Sequence, residues 1–168
     1  MMPLIVLLFT FFTLFIIGRF YSKLSINIAG RFAFSLMFVF TGVSHFSFAK
    51  GMVMSMPDII PFKLMFVYLT GIIEIFLAIF FLVNRYKQLI ARVIIVFLIV
   101  VLPANIWAAI NHVDIPSATY NGPGLAYLWF RVPLQILFII WVYNFGIKPM
   151  MQLNLKDKKA RPTTVVCE

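Results

Sequence analysis

Two charged residues lie inside stretches of sequence that are otherwise apolar. Glu74 falls near the middle of the run 62–83, and Arg131 falls a turn or two into the run 124–146. A charge near the bilayer centre costs about 2.5–3.5 kcal/mol on insertion scales, so such a residue stays protonated or finds a partner. We therefore predict that Glu74 and Arg131 pair. The pair either locks two helices together or lines a ligand or proton site, and the second interpretation is slightly favoured because desolvation can exceed the Coulomb gain of a buried pair.

Other polar residues share helical faces with these two. Gln135 follows Arg131 by four residues, which places both on one face, and Thr70 lies one turn before Glu74. Hydroxyl and amide groups at such positions bond across helix contacts in membranes. The predicted intramembrane polar cluster comprises His45, Thr70, Glu74, Asn105, Trp129, Arg131 and Gln135.

Pro103 and Asn105 lie together inside the run 90–112. Proline removes the hydrogen bond to the carbonyl one turn earlier, near Ile99. In one interpretation, Pro103 only kinks the helix and Asn105 makes a hydrogen bond within the bundle. In the other, the kink opens a pocket and Asn105 points into it.

Metal chemistry is not indicated. His45 and His112 fall at helix ends, and two histidines can hold a haem, but no supporting motif accompanies them and an interfacial position is favoured. Cys167 is the single cysteine, and one terminal thiol makes neither an internal disulfide nor a CxxC pair. No nucleophile–base arrangement is visible, so the residues leave open whether the protein is an enzyme and name no cofactor.

Five apolar runs are long enough to span a bilayer, since about 20 residues cross about 30 Å of hydrocarbon. They cover residues 3–20, 31–49, 62–83, 90–112 and 124–146. Hydrophobic residues make up 63% of the chain and charged residues 11%, a surplus that a globule of this size cannot bury. An all-α polytopic membrane protein is predicted. The last four runs carry small and polar residues at helical spacing, which predicts a four-helix core of spans two to five with a peripheral N-terminal helix.

The basic residues predict the orientation. The segments after the first, third and fifth spans hold 11 of the 14 Lys and Arg residues. By the positive-inside rule, the N-terminus faces outward and the C-terminus the cytoplasm of a bacterial inner membrane. The net charge of +9 therefore reflects the topology and also favours contact of the tail with anionic lipid. No nucleic-acid partner is expected. The first run lacks a basic flank and a cleavage site, so it is interpreted as a retained helix.

Several short segments together resemble the DoxX-like family of small bacterial membrane proteins. They are RFAFSLMFVFTGVSHF (31–46), MPDIIP (56–61), TGIIEIFLAIFFLV (70–83), PANIWAA (103–109) and WFRVPLQ (129–135). The resemblance covers roughly residues 31–143 and implies a four-helix membrane fold. It divides the chain into an N-terminal helix with a basic loop (1–30), a DoxX-like domain (31–146) and a basic cytoplasmic tail (147–168).

The resemblance also implies quinone-dependent redox work with a partner protein. The first hypothesis is a membrane subunit or accessory of a redox system that holds a quinone-like molecule, with Arg131, Gln135 and Asn105 as hydrogen-bond donors. Glu74 or His45 would then handle a proton. The second hypothesis is a non-catalytic scaffold or assembly factor. The third is a small proton-coupled carrier, which the lack of visible inverted repeats disfavours.

Overall fold

The computed structural model describes residues 2–20 and 25–148, and within them the chain is almost entirely helical. The predicted all-α class is confirmed, and five helices are long and apolar enough to cross a membrane. Met1, the loop residues 21–24 and residues 149–168 of the basic tail lie outside the described residues. The helices are α1 (Met2–Phe20), α2 (Ile26–Ser47), α3 (Ala49–Met54), α4 (Lys63–Leu82), α5 (Lys87–Ile110) and α6 (Ala126–Val142), the last continued by a π-helical turn (Tyr143–Ile147).

The helical region around the second apolar run differs most from the prediction. α2 begins at Ile26, whereas the run begins at Arg31. The connection after α2 contains the short helix α3, which begins after Phe48 leaves helical geometry with φ −113° and ψ 29°. The structure therefore extends helical geometry to both sides of the predicted second span.

The interior of the bundle is packed with aromatic and branched side chains. Phe34 of α2 makes edge-on contacts with Phe81 of α4 (ring centroids 5.8 Å apart) and Phe138 of α6 (6.2 Å). Ile94 of α5 and Leu7 of α1 are fully buried in the same cluster. All five long helices therefore contribute to one core.

The outward faces of these helices are apolar as well. Val96 and Val100 of α5 are 59% and 67% exposed, and Phe9 of α1 is 73% exposed. Contiguous apolar surface of this kind is rare on soluble monomers and is what a bilayer accepts. The exposed faces therefore agree with contact to lipid.

α1 packs along α2 and against the end of α6. Phe11 meets the Trp141 ring edge-on at a centroid distance of 4.9 Å. Only 6% of the apolar window of α1 is buried, against 50% for α2. α1 is thus attached to the bundle by one narrow face.

The end of α6 is held tightly against its neighbours. The Trp141 indole N–H donates to the backbone carbonyl of Gly30 at 3.0 Å. Gly146 lies in the π-helical turn, where an added Cβ would lie 2.7 Å from the Cβ of Ala91 and 2.9 Å from the Phe81 ring. Small residues at these positions therefore allow the close contact of α6 with α2 and α5.

The two connections at the other end of the bundle are compact. In residues 111–125, Asp114 and Thr119 form a single antiparallel bridge, and the Gly122 N–H donates to the His112 carbonyl at 2.7 Å. In the connection 55–62, the Lys63 ammonium donates to the Asp58 carboxylate at 2.5 Å. This bond and the charge of Lys63 hold the pKa of Asp58 below its usual range.

Candidate functional site

The closest helix–helix approach in the predicted polar region is between α2 and α4. These helices form the most extensive contact of the bundle. An added Cβ on Gly42 would lie 2.9 Å from the Gly71 carbonyl oxygen, and one on Gly71 would lie 2.9 Å from the Gly42 carbonyl oxygen. The two glycines therefore face each other, as small residues do where membrane helices cross closely.

His45 lies one turn beyond Gly42, directly against this crossing. Its Cβ would lie 2.7 Å from a Cβ added to Gly71. Its ring Nδ1 is 3.1 Å from the Val67 carbonyl oxygen and 3.2 Å from the Thr70 hydroxyl. Because a carbonyl oxygen only accepts, the proton is assigned to Nδ1, which donates to Val67.

Glu74 faces the other nitrogen of the same ring. Its Oε1 is 3.6 Å from His45 Nε2, and the whole residue is only 7% exposed. Its second oxygen, Oε2, is buried and has no hydrogen-bond partner among the described residues. One carboxylate oxygen is thus provided with a partner and the other is not.

The separation of Nε2 and Oε1 is that of an ion-pair contact and is longer than a direct hydrogen bond. With Nδ1 donating to Val67, the two atoms attract each other either as an imidazolium with a carboxylate or as a neutral imidazole with a carboxylic acid. Each form is neutral overall, which suits burial in an apolar bundle.

The predicted ion pair between Glu74 and Arg131 is not formed. The ion pairs within 4 Å among the described residues are His45–Glu74 and Lys63–Asp58. α4 packs mainly on α2, whereas α6, which carries Arg131, packs mainly on α5. The apolar pattern of each helix showed which face turns inward but not which helix it meets, so the partner of Glu74 was assigned to the wrong helix.

Gln135 makes a different contact between helices. It is 7% exposed, and its side-chain N–H donates to the backbone carbonyl of Leu98 on α5. Leu98 precedes Ile99, whose carbonyl loses its helical donor because of Pro103. Gln135 therefore bridges α6 to the part of α5 disturbed by proline, and one of its two amide N–H groups is engaged there.

The remaining predicted site residues occupy separate environments. Asn105 is buried on α5, Arg131 is half-buried on α6, and Trp129 is 85% exposed. The structure brings together His45, Thr70 and Glu74 of the predicted cluster and does not place Trp129 in the interior.

A second polar contact escaped the sequence analysis. Arg31 is 5% exposed, and its Nη2 donates to the Asn84 side-chain oxygen at 2.8 Å. Arg31 was counted only as a topology charge, and the turn after α4 gave no sign that Asn84 reaches back to α2. The small and apolar residues on both sides of Arg31, which form the inward face of α2, are the signal that could have revealed it.

Five apolar helices packed on one core, with a contact between half-buried His45 and buried Glu74, define a helical membrane protein. The sequence matches a domain of unknown function, DUF8561, over residues 34–146. Since the match covers more than half of the chain, the protein belongs to the DUF8561 family. No curated protein and no solved structure shows significant similarity to it.

Proposed function

We propose that this protein binds a lipophilic, quinone-like molecule at the His45–Glu74 pair and exchanges a proton with it. In this role it is a membrane subunit or accessory of a quinone-linked redox system. The observation that carries the proposal is the buried Oε2 of Glu74, which has no hydrogen-bond partner among the described residues and belongs to a carboxyl group beside the His45 ring. Buried polar atoms are nearly always hydrogen-bonded, so an unsatisfied one indicates a place for a ligand group.

The chemistry of these residues fits a quinone. A quinone, when bound, takes up or releases electrons together with protons at its carbonyl oxygens. Glu74 in its acid form donates a hydrogen bond to such an oxygen, and His45 returns the proton to Glu74. Gln135 is engaged by Leu98 and is therefore not a donor to the ligand in this proposal. Electrons would come from a partner protein or a diffusible donor.

The proposal includes an arrangement in the membrane. The helices α2, α4, α5 and α6 form a DoxX-like four-helix unit, and α1 is peripheral, in keeping with its small buried share. The basic residues place the N-terminus outside and the C-terminus in the cytoplasm of a bacterial inner membrane.

The test begins with the full chain purified in mild detergent. An absorption spectrum and mass spectrometry of a solvent extract are expected to show a lipophilic quinone in stoichiometric amount. Glu74→Gln, which removes the exchangeable proton but keeps the side-chain volume, is expected to lose most of it. Gln135→Met is the matched control, because it removes a buried amide from another helix contact, and it is expected to retain the quinone.

Two results would contradict the proposal. One is an extract that contains only ordinary phospholipid, even after added quinone has been offered to the protein. The other is a folded Glu74→Gln protein that retains quinone to the same extent as the unaltered chain. Folding is checked independently by gel filtration and circular dichroism.

A second candidate function is a non-catalytic scaffold or assembly factor. It is favoured by the contact of Gly42 with Gly71, in which the polar groups accompany close helix packing. On this view a variant such as His45→Gln with Glu74→Gln folds and supports full function in cells. Loss of function by that folded double variant favours the redox role.

A further inference from the structure

Arg31 lies at the opposite end of α2 from His45 and forms a second buried polar contact. It is in the second turn of α2, about 8 Å along the axis from Ile26 at 1.5 Å per residue. Its Nη2 is bonded to Asn84, but its Nη1 is buried without a hydrogen-bond partner among the described residues. The guanidinium is therefore only partly satisfied.

No carboxylate of the described residues compensates the charge of Arg31. Among these residues, no Asp or Glu oxygen lies within 4 Å of Arg31 or Lys87. Lys87, the half-exposed first residue of α5, follows Asn84 by three residues, and Asn84 contacts the Arg31 guanidinium. A buried cation without an anion is strongly unfavourable, so Arg31 favours an anionic group beside it, and Lys87 adds positive charge at the same end of the bundle.

The position of the two cations indicates the source of that anion. Both lie near the ends of spanning helices, where lipid phosphates are found. The apolar neighbours Phe32 on α2 and Leu89 on α5 are 46% and 60% exposed, which suits contact with acyl chains. Asn84, the protein partner of the guanidinium, is itself exposed in the turn after α4, so the unsatisfied nitrogen lies close to a surface that a headgroup reaches.

We propose that Arg31 and Lys87 bind the phosphate of an anionic phospholipid, with Asn84 orienting the guanidinium. The unpartnered Nη1 of Arg31 supplies a charge-assisted hydrogen bond to a phosphate oxygen, and Lys87 adds a second positive charge. Basic pockets between membrane helices bind anionic headgroups in this way. This site is independent of the His45–Glu74 pair.

The test is lipid titration of the delipidated full chain in detergent, followed by native mass spectrometry. Phosphatidylglycerol is expected to bind about tenfold more tightly than phosphatidylcholine with the same acyl chains. Both lipids carry a phosphate, but the choline ammonium adds a positive charge that Arg31 and Lys87 repel. Arg31→Gln is expected to abolish this preference. Arg92→Gln removes the same charge from an exposed position on α5 and is expected to keep it.

Each alternative outcome is decisive. Equal binding of the two lipids by the unaltered chain overturns the proposal, and so does an unchanged preference in Arg31→Gln. If inorganic phosphate at low millimolar concentration displaces phosphatidylglycerol, the site takes free phosphate and the lipid assignment is wrong. If Arg31→Gln does not fold, Lys87→Gln, which alters a half-exposed residue, is tested instead and is expected to reduce the preference severalfold. An unchanged preference in Lys87→Gln then overturns the proposal.

Discussion

His45 Nε2 lies 3.6 Å from Glu74 Oε1 across the contact of α2 with α4, while Nδ1 of the same ring faces the Val67 carbonyl oxygen at 3.1 Å. The carbonyl fixes a proton on Nδ1, which leaves the other ring nitrogen to face the carboxyl group of Glu74. The proposed proton exchange depends on this relationship, and it can be measured.

The first prediction concerns the energetic coupling of His45 with Glu74. In a double-mutant cycle with His45→Gln and Glu74→Gln, the coupling energy is expected to be about 0.5–3 kcal/mol, as for residues in contact. The free energy of unfolding is measured by denaturant titration in detergent micelles. The matched cycle uses Arg131→Gln with Glu74→Gln and is expected to be additive within about 0.5 kcal/mol. Coupling to Arg131 but not to His45 would show that the described pairing is incorrect.

The second prediction concerns the glycine contact. Gly71→Ala places a Cβ 2.7 Å from the His45 Cβ and 2.9 Å from the Gly42 carbonyl oxygen, so α2 and α4 must separate. Overpacking of this kind costs about 1–3 kcal/mol, which the same unfolding measurement detects. Val43→Ile adds one methylene at a position that is 49% exposed and is expected to change stability little. Equal effects of the two substitutions would argue against a close crossing.

The third prediction concerns the bond from Gln135 to the Leu98 carbonyl. Gln135→Met keeps the side-chain length but removes the donor. Bonds between membrane helices average about 0.6 kcal/mol, with values near 2 at most, and a loss in this range is expected. Gln88→Met at the half-exposed start of α5 is the control. A variant at least as stable as the unaltered chain would show that the bond does not stabilise the contact of α5 with α6.

The fourth prediction concerns Gly124, which has φ +62° and packs directly against the His112 ring. Gly124→Ala is expected to destabilise the protein by more than the roughly 1–2 kcal/mol cost of a left-handed L-residue, because the new Cβ also meets the ring. Adding His112→Ala removes the ring and is expected to restore the part of the stability that was lost through contact with the ring. If the second substitution restores no stability, contact with the ring is not the cause of the destabilisation. Thermal unfolding in detergent measures both steps.

The fifth prediction concerns the proposed orientation. Ile59, in the connection between α3 and α4, is 89% exposed and is proposed to face outward. Ile59→Cys, combined with Cys167→Ser, is expected to react with a membrane-impermeant maleimide in intact spheroplasts. Cys167 of the unaltered chain is expected to react only after lysis. The reverse labelling pattern would show that the N-terminus faces the cytoplasm and the C-terminus faces outward.

The sequence alone determined the class of structure and the approximate positions of its five long helices. Composition and run length suffice for this, because a bilayer requires about 20 apolar residues and satisfied backbone groups in each span. Glu74, His45 and Thr70 were predicted as members of one polar cluster because polar groups in apolar helices are costly and therefore informative. Their role as a binding site stays a prediction.

Only the tertiary structure decided which of these residues meet. The contact of Gly42 with Gly71 joins α2 to α4 and gives Glu74 a histidine as its partner rather than Arg131. The turn after α4 brings Asn84 to Arg31, a contact between residues that are far apart in the chain. Helical periodicity defines the inward face of each helix, but the choice of neighbour depends on side-chain packing between helices, which a single sequence does not encode in any local pattern.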